Sequence, residues 1–295
     1  MSASMWRLPR SQKRKYSRAD KAARVAFAES VVAMTPREVE AKLSMAMDGV
    51  VLSMPPADET GRLNFCRHGE DHAPPCTKYH VTCNMSHATR TMHHRPCTMY
   101  QDHMWRKRSE ACDPELAGDD AYGKQVPTSR AVPLWGGISA HGFAPIVYHP
   151  AKKLRTEQWL DAVEGGGLLS ALASLNPDRR RGPWTVLCDN ESFLSTARSK
   201  QAHANARVCM WHIPPRSPDL NPIEKYWAWL RKALLARDLS DAVAKRPALD
   251  KAGYTTRVRA ICRTQRSHAV AAACSKSLRK TCAEVIRKKG AATRG

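Results

Sequence analysis

The sequence predicts a mixed α/β fold, a sheet flanked by helices. Three observations lead there. Short apolar stretches of strand type come first, and strand-type and helix-type patterns then alternate along the chain. The 295 residues are 42% hydrophobic and 25% charged, enough apolar material for a sizeable core. No apolar run approaches the roughly 18 residues of a membrane span, and no internal repeat is visible.

The N-terminus is basic and lacks the apolar core and small-residue cleavage site of a secretory signal. Without such a signal, the ten cysteines read as reduced thiols or metal ligands. A membrane protein, a collagen-like chain and a small disulfide-stapled domain are thereby excluded, and an intracellular location is expected, nuclear if the source is eukaryotic.

Residues 18–33 are Ala-rich with no breaker and predict a helix with Val25, Ala28 and Val32 on one stripe. Thr35 precedes Pro36, with Glu38 three residues on, which predicts a capping box and a short helix. Leu43 to Met54 is apolar except for Asp48, Gly49 and serines, and reads as a buried strand holding one carboxylate. Residues 66–112 then crowd five cysteines and seven histidines into a stretch without periodicity, an irregular insertion. Val132–Ile138 and Ala144–Tyr148 read as two strands about a glycine-containing turn, and 156–175 as helix interrupted at Gly165–Gly167. Trp184–Cys188 is a strand ending on Asp189, 191–205 is helical, and Val208–Ile213 is a further strand. After a stiff Pro-Pro-Arg-Ser-Pro linker, Asn221 is placed to cap a helix whose first position is Pro222. That helix is expected to run through Arg237, with Ile223, Trp227, Leu230 and Leu234 on its apolar face.

The net charge is +21. Residues 1–24 hold +7 of it and residues 251–295 hold +11, leaving +3 for the stretch between. A nearly neutral body with two basic ends suits a folded domain with polyanion-binding arms, or else two solvated tails. Three acids sit where acids are unusual. Asp48 lies inside an apolar strand, Asp189 at the C-terminal tip of one, and Glu224 in the first turn of a helix. A strand tip is where open α/β sheets place their ligand sites. A carboxylate within a strand must be paired, protonated or bound to a cation, and converging carboxylates are hard ligands for Mg²⁺ or Mn²⁺.

The run Cys188-Asp189-Asn190, followed by Ile213-Pro-Pro-Arg-Ser-Pro-Asp-Leu-Asn-Pro-Ile-Glu-Lys-Tyr-Trp227, resembles the signature of mariner-superfamily DDE transposases. The 34 residues between Asp189 and Glu224 match the spacing of one large branch of that superfamily. Leu134-Trp-Gly-Gly-Ile-Ser139 with Gly142 is similar to the family's Trp-Gly-Gly strand and turn. Trp105-Arg106 is similar to its hairpin, and Ala23-Arg24 through Val39-Glu40 to its helical lead-in.

The resemblance implies an RNase H-like catalytic domain in which Asp48, Asp189 and Glu224 are the catalytic, metal-binding acids. It further implies two Mg²⁺ or Mn²⁺ ions, and DNA strand cleavage and transfer by phosphodiester displacement. Asn190 is expected to orient Asp189, and Asp219 and Asn221 to fix the loop before the helix. Trp227 and Trp229 are read as core, and Arg216, Lys225, Arg231 and Lys232 as DNA-phosphate contacts. The expected partners are DNA and a second copy of the chain, with no membrane.

The expected organisation is a basic arm over 1–17, the catalytic domain over 18–240 with the irregular insertion at 58–112, and a basic helical tail over 241–295. Three departures from the family pattern stand out. Gly49 occupies the position of a common second acid, and Leu194 that of a common histidine. In place of the family's helix-turn-helix region, the residues ahead of the lead-in are 17, five of them Lys or Arg and none acidic. An active or repurposed transposase domain is the first reading, and a non-catalytic DNA-binding remnant the second. A zinc-stabilised nucleic-acid module is the third. For zinc, which takes four N or S ligands, the candidates are Cys76, His80, Cys83 and His87.

Overall fold

Two capping boxes open the first two helices. Ser17 and Asp20 exchange side-chain and backbone hydrogen bonds at the start of α1 (Arg18–Val32), and Thr35 and Glu38 do the same at α2 (Pro36–Lys42). The computed structural model describes residues 6–9, 16–55, 103–106, 128–148, 154–179 and 182–293. The chain forms two compact units, one of residues 1–13, 55–126 and 237–248, the other of 14–54, 127–236 and 249–295.

In the first unit, β1 (Trp6–Pro9) pairs antiparallel with β3 (His103–Arg106), Trp6 opposite Arg106 and Pro9 opposite His103. These strands fall in the basic arm expected over 1–17 and in the irregular insertion expected over 58–112. The ribbon joins the two across nearly a hundred residues of chain, a separation that no local periodicity signals. The zinc candidates Cys76, His80, Cys83 and His87 lie outside the described residues.

The second unit is built on a five-stranded sheet. Its strands are β2 (Met45–Ser53), β4 (Ala131–Ser139), β5 (Gly142–Tyr148), β6 (Trp184–Cys188) and β7 (Val208–His212), in the order β5-β4-β2-β6-β7. The β2–β4–β5 meander is antiparallel, whereas β6 runs parallel to both β2 and β7, so the sheet is mixed. On one face lie α3 (Thr156–Glu164), α4 (Gly167–Ser174) and α5 (Ala197–Asn205). Trp159, Leu160, Leu168, Leu172 and Ala202 pack there with Met45 and Met47. On the other face, α1 and α6 (Ile223–Val243) meet Ala46, Val50 and Leu52 through Ala28, Val31, Ile223, Tyr226 and Trp227. The alternation of β2 residues between the two clusters is the period of a strand buried on both faces.

Residues 251–287 are helical as expected, in three pieces: α7 (Lys251–Cys262), α8 (Gln265–Lys276) and α9 (Leu278–Arg287). They are not an appendage. Tyr254, Val258, Cys262, Ala271, Leu278, Cys282 and Val285 are buried in the same cluster as Trp227. The apolar residues recur every three or four positions, with Arg259, Arg263, Arg266 and Lys280 exposed between them. The five cysteines among the described residues carry free thiols. Among those residues no helix is long and apolar enough to cross a membrane.

Candidate active site

The parallel register of β2 and β6 sets two of the acids at one level. Met45 stands beside Val186 and Ala46 beside Leu187. Asp48 lies two residues past Ala46, and Asp189 two past Leu187. Strand alternation also fixes the face of the first. Asp48 shares the face of Ala46, the side of the sheet that packs against α6, and Asp189 follows directly on the end of β6. Glu224 is the second residue of that helix.

The approach to α6 is tied to the sheet by side-chain hydrogen bonds. A short 3₁₀ turn, Pro218–Leu220, ends at Asn221, whose Nδ2 donates to the carbonyl of Met47 at 3.0 Å, one residue before Asp48. Asn221 also accepts from the Ile223 N–H at 3.4 Å, so the expected cap is present but long, and its amide is used on the strand. Beside it, Asn190 donates to the Ile213 carbonyl at 2.6 Å, and Ile213 N–H donates to Cys188 O at 2.9 Å. Asn190 therefore anchors the turn after β6 rather than the Asp189 carboxylate. His212 Nδ1 lies 3.1 Å from the Asp189 carbonyl and 3.5 Å from Cys188 Sγ.

Electrostatics bind the acids into one group. Burial pushes Asp48 up to about 8, aided by the negative charges of Glu224 and Asp189. Burial likewise raises Asp189, which feels Glu224 in turn. Asp189 Oδ1 is buried with no hydrogen-bond partner. Acids that repel one another while an acceptor oxygen stands unsatisfied are the complement of a hard divalent cation, and the all-oxygen donor set fits Mg²⁺ or Mn²⁺. Among the described residues no group of three or more His, Cys, Asp or Glu is set at metal-holding geometry.

The basic residues proposed for DNA divide. Lys225 Nζ donates to Ser277 Oγ at 3.0 Å and Thr281 Oγ1 at 2.8 Å, which fastens α6 to the C-terminal helices and leaves it half-buried. Arg216 is exposed, has a positive φ of 59°, and lies 3.4 Å from Asp20. Arg231 and Lys232 are exposed on α6. Trp227 is fully buried and Trp229 packs against the same core, as read.

Two features of the site escaped the sequence. At Gly49, a Cβ would lie 2.5 Å from the Trp135 indole, which covers the backbone next to Asp48. The position that carries a second acid in the family is here a floor for tryptophan. Glu191, two residues past Asp189, adds a further negative charge near Asp48. It lines a cleft of about 570 Å³ together with Asp48, Val51, Trp135, Arg155 and Phe193. Its place in the Cys-Asp-Asn-Glu run was the available signal.

Comparison with known proteins agrees with this architecture. Residues 115–244 match the family model described as DDE superfamily endonuclease. The whole chain superposes on 68% of a chain in the crystal structure of a pre-cleavage Mos1 transpososome, with a TM-score of 0.55 and 11% identity. It also superposes, over 96% of its length, on all of the catalytic domain of Mos1 mariner transposase, with a TM-score of 0.54 and 9% identity. The Mos1 mariner paired end complex with Mn matches over 98% of this chain and 67% of that one, with a TM-score of 0.54 and 11% identity. No curated protein matches in sequence. At such identities the likeness establishes the fold, an RNase H-like sheet flanked by helices.

Proposed function

We propose that this chain, whose residues 115–244 match the DDE superfamily endonuclease model, is a mariner-type transposase domain that cleaves and joins DNA strands by metal-assisted phosphodiester displacement. The observation that carries the reading is the placement of Asp48 and Asp189. Asp48 lies in β2 and Asp189 just past the end of its parallel neighbour β6, each two residues beyond a register pair, and the charge of Glu224 acts on both. Mg²⁺ or Mn²⁺, when bound, supplies activation of the attacking oxygen and stabilisation of the leaving one.

Each side chain then has a defined task. Asp48 and Asp189 give up their protons and offer oxygens from the rigid sheet, and the orphaned Oδ1 of Asp189 is the first candidate ligand. Glu224 closes the set from the helix. Asn221 holds that helix to the strand through Met47 O, so the third acid moves with the first. No protein nucleophile is required. Arg231 and Lys232, exposed on the same helix, are placed to meet phosphates. DNA is the substrate partner in this reading, and a second copy of the chain would be needed to join two ends.

A non-catalytic DNA-binding remnant is the second reading. It is favoured by Gly49 in place of an acid and by the lack of preset metal geometry among the described residues. Nicking of a supercoiled plasmid separates the two. Conversion to open circle in Mn²⁺, abolished by EDTA and by Asp189→Ala, is expected. Nicking that survives Asp189→Ala, or none in either metal, would leave the remnant.

A further inference from the structure

Arg24 is a fully buried arginine in the middle of α1, far in sequence from any of the three acids. Its guanidinium grips Asp219 with both arms, Nη1 to Oδ1 at 2.8 Å and Nη2 to Oδ2 at 2.7 Å. Its Nε donates to the carbonyl of Gly290 at 2.9 Å. Thr293 donates to the same Asp219 Oδ2 from both its N–H, at 2.9 Å, and its Oγ1, at 3.0 Å. Asp219 thus receives four donors from two distant segments.

The segment that brings Thr293 is itself fitted to α1. Gly290 has φ +80°, and a Cβ there would lie 2.5 Å from the Lys21 carbonyl, so only glycine makes this approach. Asp219 belongs to the 3₁₀ turn that leads through Asn221 into Glu224. A bidentate arginine–carboxylate pair fixes direction as well as distance, and a turn held at Asp219 and again at Asn221 has little freedom in where it delivers the next residues.

We infer that Arg24, with residues 290–293, acts through Asp219 as a positioning clamp that sets Glu224 relative to Asp48 and Asp189. The clamp does not touch DNA or the reacting atoms. It explains why an arginine of the lead-in helix and the aspartate of the Pro-Asp-Leu turn belong to one device. It also gives the uncharged residues 290–293, at the end of the basic C-terminal stretch, a role at the site. The inference rests on the proposed function for its purpose, and on the contacts above for its existence.

The test separates the two. Asp219→Ala alone would strand a buried guanidinium and is expected to unfold the protein. Two other variants avoid that. Arg24→Met with Asp219→Leu replaces the pair by apolar side chains of similar bulk, and Thr293→Pro removes both threonine donors without exposing a charge. Hydrogen exchange on metal-free protein should show faster exchange at the amides of 219–224 in each, with the sheet amides unchanged. Mn²⁺ affinity, followed by the loss of the free-ion EPR signal, should fall about tenfold in the double variant, as when groups supporting a metal ligand are removed. Wild-type exchange at 219–224 in Thr293→Pro overturns the clamp, even if the double variant does not fold. Loosened amides in a chain whose wild-type form binds no Mn²⁺ would instead uphold the clamp and overturn the metal reading.

Discussion

Asp48 is an acid that this protein holds more easily neutral than charged. Its pKa in the folded chain is pushed up to about 8, above the 3.8 of a free aspartate. Between those values the metal-free folded state binds a proton that the unfolded state has released, so stability falls as pH rises from about 4 to 8. Asp48→Asn removes that loss. Metal-free Asp48→Asn should melt a few degrees above wild type at pH 8, on the order of 1–3 kcal/mol, with the gap closing near pH 4, while DNA nicking disappears. Thermal melts at the two pH values, with EDTA present, check it. Its neighbour gives the opposite result. Gly49→Ala drives a methyl into the Trp135 indole and should cost about 1–3 kcal/mol by overpacking, read as a lower urea midpoint. At this scale the sequence was legible where chemistry was unusual. An aspartate within an apolar strand announced itself, whereas Gly49 looked like a missing acid, because only the fold brings Trp135 onto it.

Helix α6 shows how one element sorts its charges. Lys225 and the pair Arg231 and Lys232 read alike in sequence, as cations on one helix. Lys225 spends its donors on Ser277 and Thr281. Arg231 and Lys232 face solvent. Lys225→Met should therefore shift the urea midpoint and leave DNA affinity unchanged. Arg231→Ala with Lys232→Ala should do the reverse, lowering affinity for any duplex and reducing the slope of log K against log salt by about 2. Fluorescence anisotropy across a salt series distinguishes them. The Arg24–Asp219 link between α1 and the turn before α6 adds a pH signature. Its ion pair and hydrogen bonds hold the Asp219 carboxyl below its ordinary value, so this stability is present above about pH 4 and is lost as pH falls through the lowered pKa. Arg24→Met with Asp219→Leu, which lacks that contribution without stranding a buried charge, should show a shallower acid limb in unfolding midpoints below pH 4. Periodicity and capping located α1 to α4 within a few residues, because each is specified by its own local pattern, whereas α6 runs on to Val243, past the expected Arg237. The pairing of β1 with β3 is not, since four residues at each end carry no mark of their partner.

At the scale of the whole molecule, charge misled and hydrophobic pattern did not. The excess of +11 over 251–295 suggested an arm, yet these residues bury Tyr254, Val258, Leu278 and Val285 in the main core. Removing them should abolish cooperative unfolding by circular dichroism, rather than merely weaken DNA binding. The sheet also closes in an unusual place. The antiparallel partners β2 and β4 meet at Ser53 and Ala131, and the pairing is locked by Met54 N–H on Arg130 O and by the Arg130 side chain on Met54 O. The chain thus leaves the sheet after Met54 and comes back to it at Arg130, at a single latch. The latch makes the molecule divisible. A first piece ending within the detour would carry Asp48, and a second would carry Asp189 and Glu224. Neither would hold a complete set of acids, so any cutting of DNA would report the reunion of two separately made halves.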